Sequence, residues 1–214
     1  MREQLRLRQE ALDAGADHVG WKIGLNIPEV QQQLGIDEPV LGHLTSAGVI
    51  ESGGEYDASA AKQLMAEPEV AIELGADLEP GADHDAAREA IAGLAPAIEL
   101  VDTGRPPRGK GVEGIVADNI FHSAVVLGER ASGEPTRATV RVNGEERASA
   151  DFTDDLEEVV RVAARRLAEA GESLRAGDRV IAGSITPQVG PLEAGDALEV
   201  EVAGLGSLRV RIAA

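Results

Sequence analysis

The sequence predicts a single α+β domain that is rich in strands and carries several helices. Apolar and acidic residues alternate from Glu67 to Leu74, as in a half-buried strand, and Asn143-Gly144 lies between two alternating segments, as in a tight hairpin. Residues 154–170 instead repeat apolar side chains with helical spacing. With 214 residues, 43% of them hydrophobic, the chain can bury one sizeable core and is not expected to be disordered.

Charge and composition exclude several classes of function. The net charge of -18 opposes binding to nucleic acid and to anionic membrane surfaces, because both depend on Lys and Arg. The absence of cysteine excludes disulfides and thiolate chemistry. The N-terminus has no apolar signal core, and no apolar stretch is long enough to span a bilayer. We therefore expect a cytoplasmic protein.

The first half of the chain mixes helices and strands. The predicted helices cover residues 2–14, 28–34 with Asn26 as N-cap, about 57–65, and 85–94; the predicted strands cover 19–25, 67–74 and 97–101. Residues 103–111 contain two prolines and three glycines, which predicts a loop.

The second half is predicted to be mostly strands around one long helix. The predicted strands cover 125–127, 139–142, 145–148, 180–182, 197–202 and 207–212. The helix runs from Asp154 to Ala170, with Asp154 as N-cap, Glu157 completing a capping box and Gly171 ending it.

One glycine-rich motif is rejected as a nucleotide site. Residues 109–114 match G-x-G-x-x-G, but they follow Pro106-Pro107-Arg108 rather than a strand, so a flexible loop is the better interpretation. The sequence also lacks the common P-loop, zincin, EF-hand and G-x-S-x-G patterns.

Three glutamates predict a metal site. In a strand, Glu67 and Glu69 project from one face, and Glu99 lies within a second apolar strand. Like charges placed together repel, so such a cluster usually needs a cation. Three carboxylates without cysteine favour a hard, oxygen-preferring ion such as Mg²⁺.

A lysine on an earlier strand is the second candidate. Trp21 and Ile23 share the core face of the 19–25 strand, which leaves Lys22 on the other face between Gly20 and Gly24. Such a lysine could contact a ligand, carry a proton or neutralise a substrate carboxylate. The alternative is a surface lysine on an edge strand.

From residue 19 onward, an ordered series of motifs resembles the 2-keto-4-pentenoate hydratase family of the fumarylacetoacetate hydrolase superfamily. The motifs are Gly20–Asn26 (GWKIGLN), Gly35–Pro39 (GIDEP), Gly42–Leu44 (GHL), Glu67–Ala71 (EPEVA), Ala97–Asp102 (AIELVD), Val116–Asn119 (VADN), Gly183–Pro187 (GSITP), Leu192–Asp196 (LEAGD) and Gly204–Ser207 (GLGS). The resemblance implies a mixed β-sandwich roll with flanking helices. It divides the chain into a shortened N-terminal helical segment, 1–18, and a catalytic domain, 19–214.

The resemblance also implies a chemistry. Mg²⁺ or Mn²⁺ would be held by Glu67, Glu69 and Glu99 and would chelate a short 2-oxo or 2-hydroxydienoic acid, stabilising the enolate formed during tautomerisation. Lys22 would assist the proton transfer or anchor an oxygen of the substrate, and water would add to the distant alkene carbon. The other positions expected to line the substrate pocket are Asn119, Gly183, Ser184 and Thr186. Relatives are commonly oligomeric, so a homo-oligomer is expected.

Two departures from the family pattern keep alternative reactions open. The acidic residue that usually follows Gly42-His43-Leu44 is absent before Glu51, and the Pro/Gly loop after Asp102 replaces a Ser-Arg and an Asp-Trp pair. We expect His43 to substitute as the acid/base group, with His122 as the alternative. A 4-oxalocrotonate-like decarboxylase needs no water-activating acid, so the absence of the acidic residue slightly favours decarboxylation.

Two further alternatives remain at this stage. One is a C–C bond hydrolase of the wider superfamily, and the other is a non-catalytic partner of an active paralogue. The retention of Lys22 and of all three glutamates argues against the non-catalytic partner, because such a protein has no physical reason to keep clustered carboxylates that repel without a metal.

Overall fold

Two β-sheets contain most of the regular structure in the computed structural model, which describes all 214 residues. The seven strands of the larger sheet are β1 (His18–Gly24), β2 (Val40–Thr45), β3 (Val49–Ile50), β5 (Leu64–Leu74), β6 (Ile91–Asp102), β7 (His122–Leu127) and β10 (Arg179–Ala182). The five of the smaller sheet are β4 (Glu55–Asp57), β8 (Arg137–Val142), β9 (Glu145–Asp151), β11 (Ala197–Ala203) and β12 (Gly206–Ala213). Their spatial orders are β2-β1-β10-β5-β6-β7-β3 and β4-β12-β11-β8-β9.

Five α-helices accompany the sheets. They are α1 (Arg2–Asp13), α2 (Pro28–Leu34), α3 (His84–Ala90), α4 (Gly111–Ala117) and α5 (Leu156–Glu169). None of them combines the length and apolar character needed to cross a lipid bilayer. The predicted α+β class is confirmed.

The main core lies between the larger sheet, the smaller sheet and α5. The larger sheet contributes Trp21 and Ile72 to this core, the smaller sheet contributes Val200, and α5 contributes Leu167. All four side chains are almost completely buried. A second, smaller cluster lies on the opposite face of the larger sheet and consists of Leu44, Ala71, Ala95, Ala97, Val125 and Ile181. That opposite face also carries the candidate site.

Patterns that depend on local sequence were predicted well. Asn143 and Gly144 both have positive φ angles, 55° and 81°, as a two-residue hairpin between β8 and β9 requires. Helix α5 has the predicted buried stripe, but its N-cap is Asp155, which accepts a hydrogen bond from the backbone N–H of Glu158. The predicted cap, Asp154, precedes the helix, and two adjacent aspartates offer no local signal to separate them.

Two predicted helices are wrong wholly or in part, because contacts with residues distant in the chain override their local pattern. Residues 57–65 contain no helix, since the backbone N–H groups of Lys62 and Gln63 donate to the carboxylate of Asp102 and lead the chain into β5. The helix predicted over 85–94 ends at Ala90, and the remaining residues pair with β5 as the start of β6.

Two local predictions near the site also need correction. Residues 111–117 form helix α4, whereas the glycine motif had suggested a loop through this region. Helix α2 begins after Ile27 with no side-chain cap, so Asn26 does not cap it. Proline at the first position of α2 presets the helical φ angle and needs no cap bond.

The close approach of β1 and β10 at Gly20 yields a stability prediction. A Cβ added to Gly20 would lie 1.9 Å from the carbonyl oxygen of Arg179, a backbone atom that cannot move without disrupting the strand pair. We expect Gly20→Ala to lower the free energy of unfolding by about 3 kcal/mol or more, measured by urea denaturation.

Gly81→Ala is the matched control, because a Cβ there has no atom within 4 Å. Its free energy of unfolding should change by less than about 0.5 kcal/mol. Equal urea midpoints for the two variants would show that the β1–β10 contact tolerates a side chain.

Candidate metal centre

The register of β5 and β6 brings the three glutamates together. Glu67 lies directly opposite Glu99 in this antiparallel pair, and Glu69 lies two residues further along on the same face. One carboxylate oxygen from each of the three lies within 4.8 Å of the others. Glu69 and Glu99 are almost completely buried, whereas Glu67 remains partly exposed.

Burial and mutual repulsion perturb the titration of these carboxylates. Burial, followed by the charges of Glu99 and Glu67, raises the pKa of Glu69 well above its ordinary value. Burial and the charge of Glu99 also raise the pKa of Glu67. Burial alone would raise the pKa of Glu99, but Lys22 and His122 outweigh it, so that pKa is lowered. The cluster is therefore short of positive charge around Glu67 and Glu69.

The oxygens of the cluster fit a divalent cation. Oε1 of Glu99 accepts hydrogen bonds from Nζ of Lys22 and, at 2.7 Å, from Nδ1 of His122, while its Oε2 is buried without any partner. Oε2 of Glu69 is likewise buried and unpartnered. A buried carboxylate oxygen is costly unless it is paired, and an all-oxygen donor set is the kind that Mg²⁺ and Mn²⁺ prefer. The unpartnered oxygens are thus free to bind such an ion.

Lys22 reaches this cluster because Gly42 lies opposite it on β2. A Cβ at Gly42 would lie 2.5 Å from Cγ of Lys22 and 2.8 Å from Oδ1 of Asn119. The lysine is 2% exposed, and besides its bond to Glu99 it donates to the carbonyl oxygen of Ile120 at 3.4 Å. The alternative interpretation of Lys22 as a surface residue is therefore wrong.

A left-handed turn forms the next part of the site. Asn119, Ile120 and Phe121 have φ angles of 54°, 54° and 60°, a conformation that costs non-glycine residues roughly 1–2 kcal/mol each. The side chain of Asn119 offsets this cost, because its Oδ1 accepts from the backbone N–H of His43 at 2.8 Å and its Nδ2 donates to the same residue's carbonyl at 3.0 Å. Asn119 thus fastens the turn to β2.

A cavity of about 380 Å³ opens beside the glutamates. Its polar lining comprises Lys22, Asn26, Glu67, Glu69, Glu99, Thr103, Ser184, Thr186 and Gln188. Its apolar lining comprises Ile23, Leu25, Ile27, Val30, Val101, Ile120 and Phe121. Oγ of Ser184 is buried without a hydrogen-bond partner, whereas Oγ1 of Thr186 donates to the carbonyl of Pro187.

Most of the sequence-predicted site residues meet at this cavity. The three glutamates, Lys22, Gly183, Ser184 and Thr186 all line it. Asn119 does not line it, because both polar atoms of its side chain are engaged by the backbone of His43. Its contribution is to hold Ile120 and Phe121 in place.

His43 does not line the cavity, which corrects the catalytic role expected for it. On paired strands β1 and β2, His43 lies opposite Trp21 while Gly42 lies opposite Lys22, so alternation directs His43 to the other face. Burial, with the nearby positive charges of His122 and Arg8, lowers the pKa of His43 to about 4. The imidazole is therefore neutral at pH 7.

Two residues at the site were not predicted, or were predicted only as an alternative, from the sequence. His122, considered only as an alternative to His43, is the residue that contacts Glu99. Gln188, which follows Thr186 by two residues, donates to Oε1 of Glu67 at 2.6 Å. Spacing from Thr186 was the only available signal for Gln188, and no sequence signal pairs His122 with Glu99.

The sequence of this chain is similar to those of several curated enzymes. The chain is 34% identical to a TodF product hydratase of Pseudomonas putida, over 96% of this chain and 80% of the relative. It is 30% identical to a 4-oxalocrotonate decarboxylase of Pseudomonas sp., over 92% and 79%. It is 29% identical to a 2-keto-4-pentenoate hydratase of Paraburkholderia xenovorans, over 94% and 78%.

Solved structures agree with the sequence relatives. A 4-oxalocrotonate decarboxylase from Pseudomonas putida, complexed with magnesium and adipate, superposes with a TM-score of 0.88 at 27% identity, over 98% of this chain and 83% of that one. The sequence profile described as fumarylacetoacetate (FAA) hydrolase C-terminal matches residues 21–213. The predicted family and its mixed helix-and-sheet roll are confirmed: the chain belongs to the fumarylacetoacetate hydrolase C-terminal family.

Proposed function

We propose that the protein is a divalent-metal-dependent lyase, a hydratase that adds water to a short 2-hydroxydienoate through its 2-oxo tautomer. The observation that carries the proposal is the pair of buried, unpartnered oxygens on Glu69 and Glu99 beside the buried ammonium of Lys22. The hydratases among the relatives support the reaction type. Mg²⁺ or Mn²⁺ is the proposed ion, held by Glu67, Glu69 and Glu99.

The reaction needs a proton transfer and then a hydration. In the first step the 2-hydroxyl proton leaves and the far carbon of the diene gains a proton, which gives a 2-oxo-3-enoate. In the second step the oxygen of water adds to the alkene carbon farther from the 2-oxo group, and a proton adds to the nearer one. A divalent ion bound to the glutamates supplies Lewis-acid stabilisation of the negative charge that develops on the 2-oxygen.

The residues of this chain supply the remaining functions. Lys22 is buried at the polar end of the cavity, where its ammonium can stabilise the 2-oxygen and exchange a proton with it. The unpartnered hydroxyl of Ser184 is available to bind the substrate carboxylate. The apolar side of the cavity limits the access of bulk water, which strengthens these charge interactions.

Decarboxylation of a carboxylated 2-oxo acid is the second candidate. It requires a stabilised enolate but no acid to activate water, and the cavity lining contains no Asp or His. A relative with 30% identity carries this activity in its name. Both reactions would use the three glutamates and Lys22.

Metal binding can be tested by thermal melting with and without Mg²⁺ or Mn²⁺. An ion at about 100 times its Kd stabilises the native state by about 2.7 kcal/mol, which corresponds to an increase in Tm of roughly 5–10 °C for a chain of this size. We expect Glu69→Gln to abolish this increase, because it removes a ligand charge.

Glu73→Gln is the matched control on the same strand. Glu73 forms ion pairs with Arg130 and Arg179 outside the cluster, so this variant should keep the full metal-dependent shift. The metal centre would be refuted by an ion-independent Tm in the unaltered protein, or by a shift that survives in Glu69→Gln.

The role of Lys22 can be separated from metal binding. We expect Lys22→Met to lower kcat by about 100- to 10,000-fold, the usual range for loss of a proton-transfer group, while the Mg²⁺-dependent Tm increase remains. Lys62→Met, at an exposed position outside the cavity, should leave kcat unchanged. Full activity in Lys22→Met would remove the lysine from the mechanism.

The two candidate reactions can be distinguished by their products. The Mg²⁺-loaded protein is incubated with a 2-hydroxydienoate and, separately, with its carboxylated analogue, and the products are followed by NMR and by CO₂ release. We expect a hydrated 2-oxo acid from the first incubation and no CO₂ from the second. Release of CO₂ without hydration would establish the decarboxylase in place of the hydratase.

A further inference from the structure

We infer that His122 is a positioning residue of the metal centre, whose ring holds the Glu99 carboxylate so that Oε2 of Glu99 stays available to the ion. The inference rests on the proposed function, because it concerns one of the three carboxylates proposed to hold Mg²⁺ or Mn²⁺. His122 does not line the cavity, so it acts through Glu99 rather than on the substrate.

An irregularity in the pairing of β6 and β7 brings His122 to the face of the sheet that carries the glutamates. Leu100 of β6 pairs with Ala124 of β7. The next residue of β6, Val101, pairs with His122, so Ser123 is an extra residue in β7. Regular alternation would turn His122 towards the main core, where Ala124 lies. The extra residue instead re-aims His122 to the face of Val101, as β-bulges commonly do beside functional sites.

The ring of His122 contacts one oxygen of Glu99 and leaves the other free. Nδ1 of His122 lies 2.7 Å from Oε1 of Glu99, and the side chain of His122 is only 9% exposed. Lys22 contacts the same oxygen from β1, so side chains from two different strands fix Oε1. Oε2 is buried and has no partner. Without the ring, Lys22 alone would hold Oε1, and the carboxylate would be freer to rotate about χ3.

The surroundings of the ring assign its proton to Nδ1. A carboxylate oxygen accepts hydrogen bonds, so the 2.7 Å contact requires an N–H group at Nδ1. The other nitrogen, Nε2, faces Gly48, where an added Cβ would lie 3.3 Å from it. The ring is thus confined between Glu99 and a position without a side chain, and the bond through Nδ1 is its only side-chain hydrogen bond.

Two variants of similar size separate the hydrogen bond from the space that the ring fills. In His122→Asn the amide nitrogen takes the place of Nδ1, whereas His122→Leu has the same branching and no donor. Isothermal titration calorimetry with Mg²⁺ measures the Kd of each variant. We expect His122→Leu to raise the Kd by about 10- to 100-fold, the usual cost of losing a partner that orients a metal ligand. His122→Asn should stay within about threefold of the unaltered protein, because it keeps the donor.

His84→Leu is the matched control, because it makes the same substitution at an exposed histidine on α3, outside the glutamate cluster. Its Kd for Mg²⁺ should equal that of the unaltered protein. An unchanged Kd in His122→Leu would overturn the inference. Equal weakening in His122→Leu and His122→Asn would show that the ring acts by its shape alone, which also overturns it.

Melting curves recorded in EDTA distinguish a folding defect from a loss of metal affinity. If His122→Leu does not fold, His122→Ala takes its place with the same expected increase in Kd. Failure of the unaltered protein to bind Mg²⁺ or Mn²⁺ would refute the proposed metal centre, and the inference would fail with it. Equally tight binding by the unaltered protein and by His122→Leu would refute the inference and leave the proposed function standing.

Discussion

The antiparallel register of β5 and β6 is the constraint on which the rest of the site depends. It places Glu67 opposite Glu99 and brings Glu69 to the same face, so three carboxylates share a partly enclosed space. A shift of one residue would turn one strand's glutamates towards the apolar core on the other face of the sheet. The same pairing that buries Val70, Ile72 and Ile98 therefore also brings together the three carboxylates proposed to hold the metal.

Another strand of the same sheet supplies a cation to this cluster of carboxylates. Strand β10 separates β1 from β5, and Lys22 lies in register with Ile181, which lies in register with Ala71. The ammonium of Lys22 thus crosses the face of the sheet to reach Glu99. Glycines make room for these side chains: a Cβ at Gly183 would lie 2.8 Å from Cγ of Glu69, as one at Gly42 would collide with Lys22.

The two oxygens of the Glu99 carboxylate have different surroundings. Lys22 and His122 both contact Oε1, which leaves Oε2 without a partner, and these contacts lower the pKa of Glu99 despite its burial. Glu69 has no such partners on its buried oxygen, and the pKa of Glu69 is raised accordingly. The strained Asn119–Phe121 turn places the apolar side chains of Ile120 and Phe121 in the lining of the same cavity.

The sequence by itself determined the features whose cause is local. Alternation in Glu67–Leu74, the Asn143-Gly144 hairpin and the apolar stripe of α5 each depend on a few neighbouring residues, and the ordered motifs identified the family. Only the tertiary structure decided the features that depend on pairing between distant strands. Residues 91–94 are strand because β5 lies beside them, and His43 turns away from the cavity because it pairs with Trp21, while His122 reaches Glu99. Strand register joins residues far apart in the chain, and no local pattern specifies it.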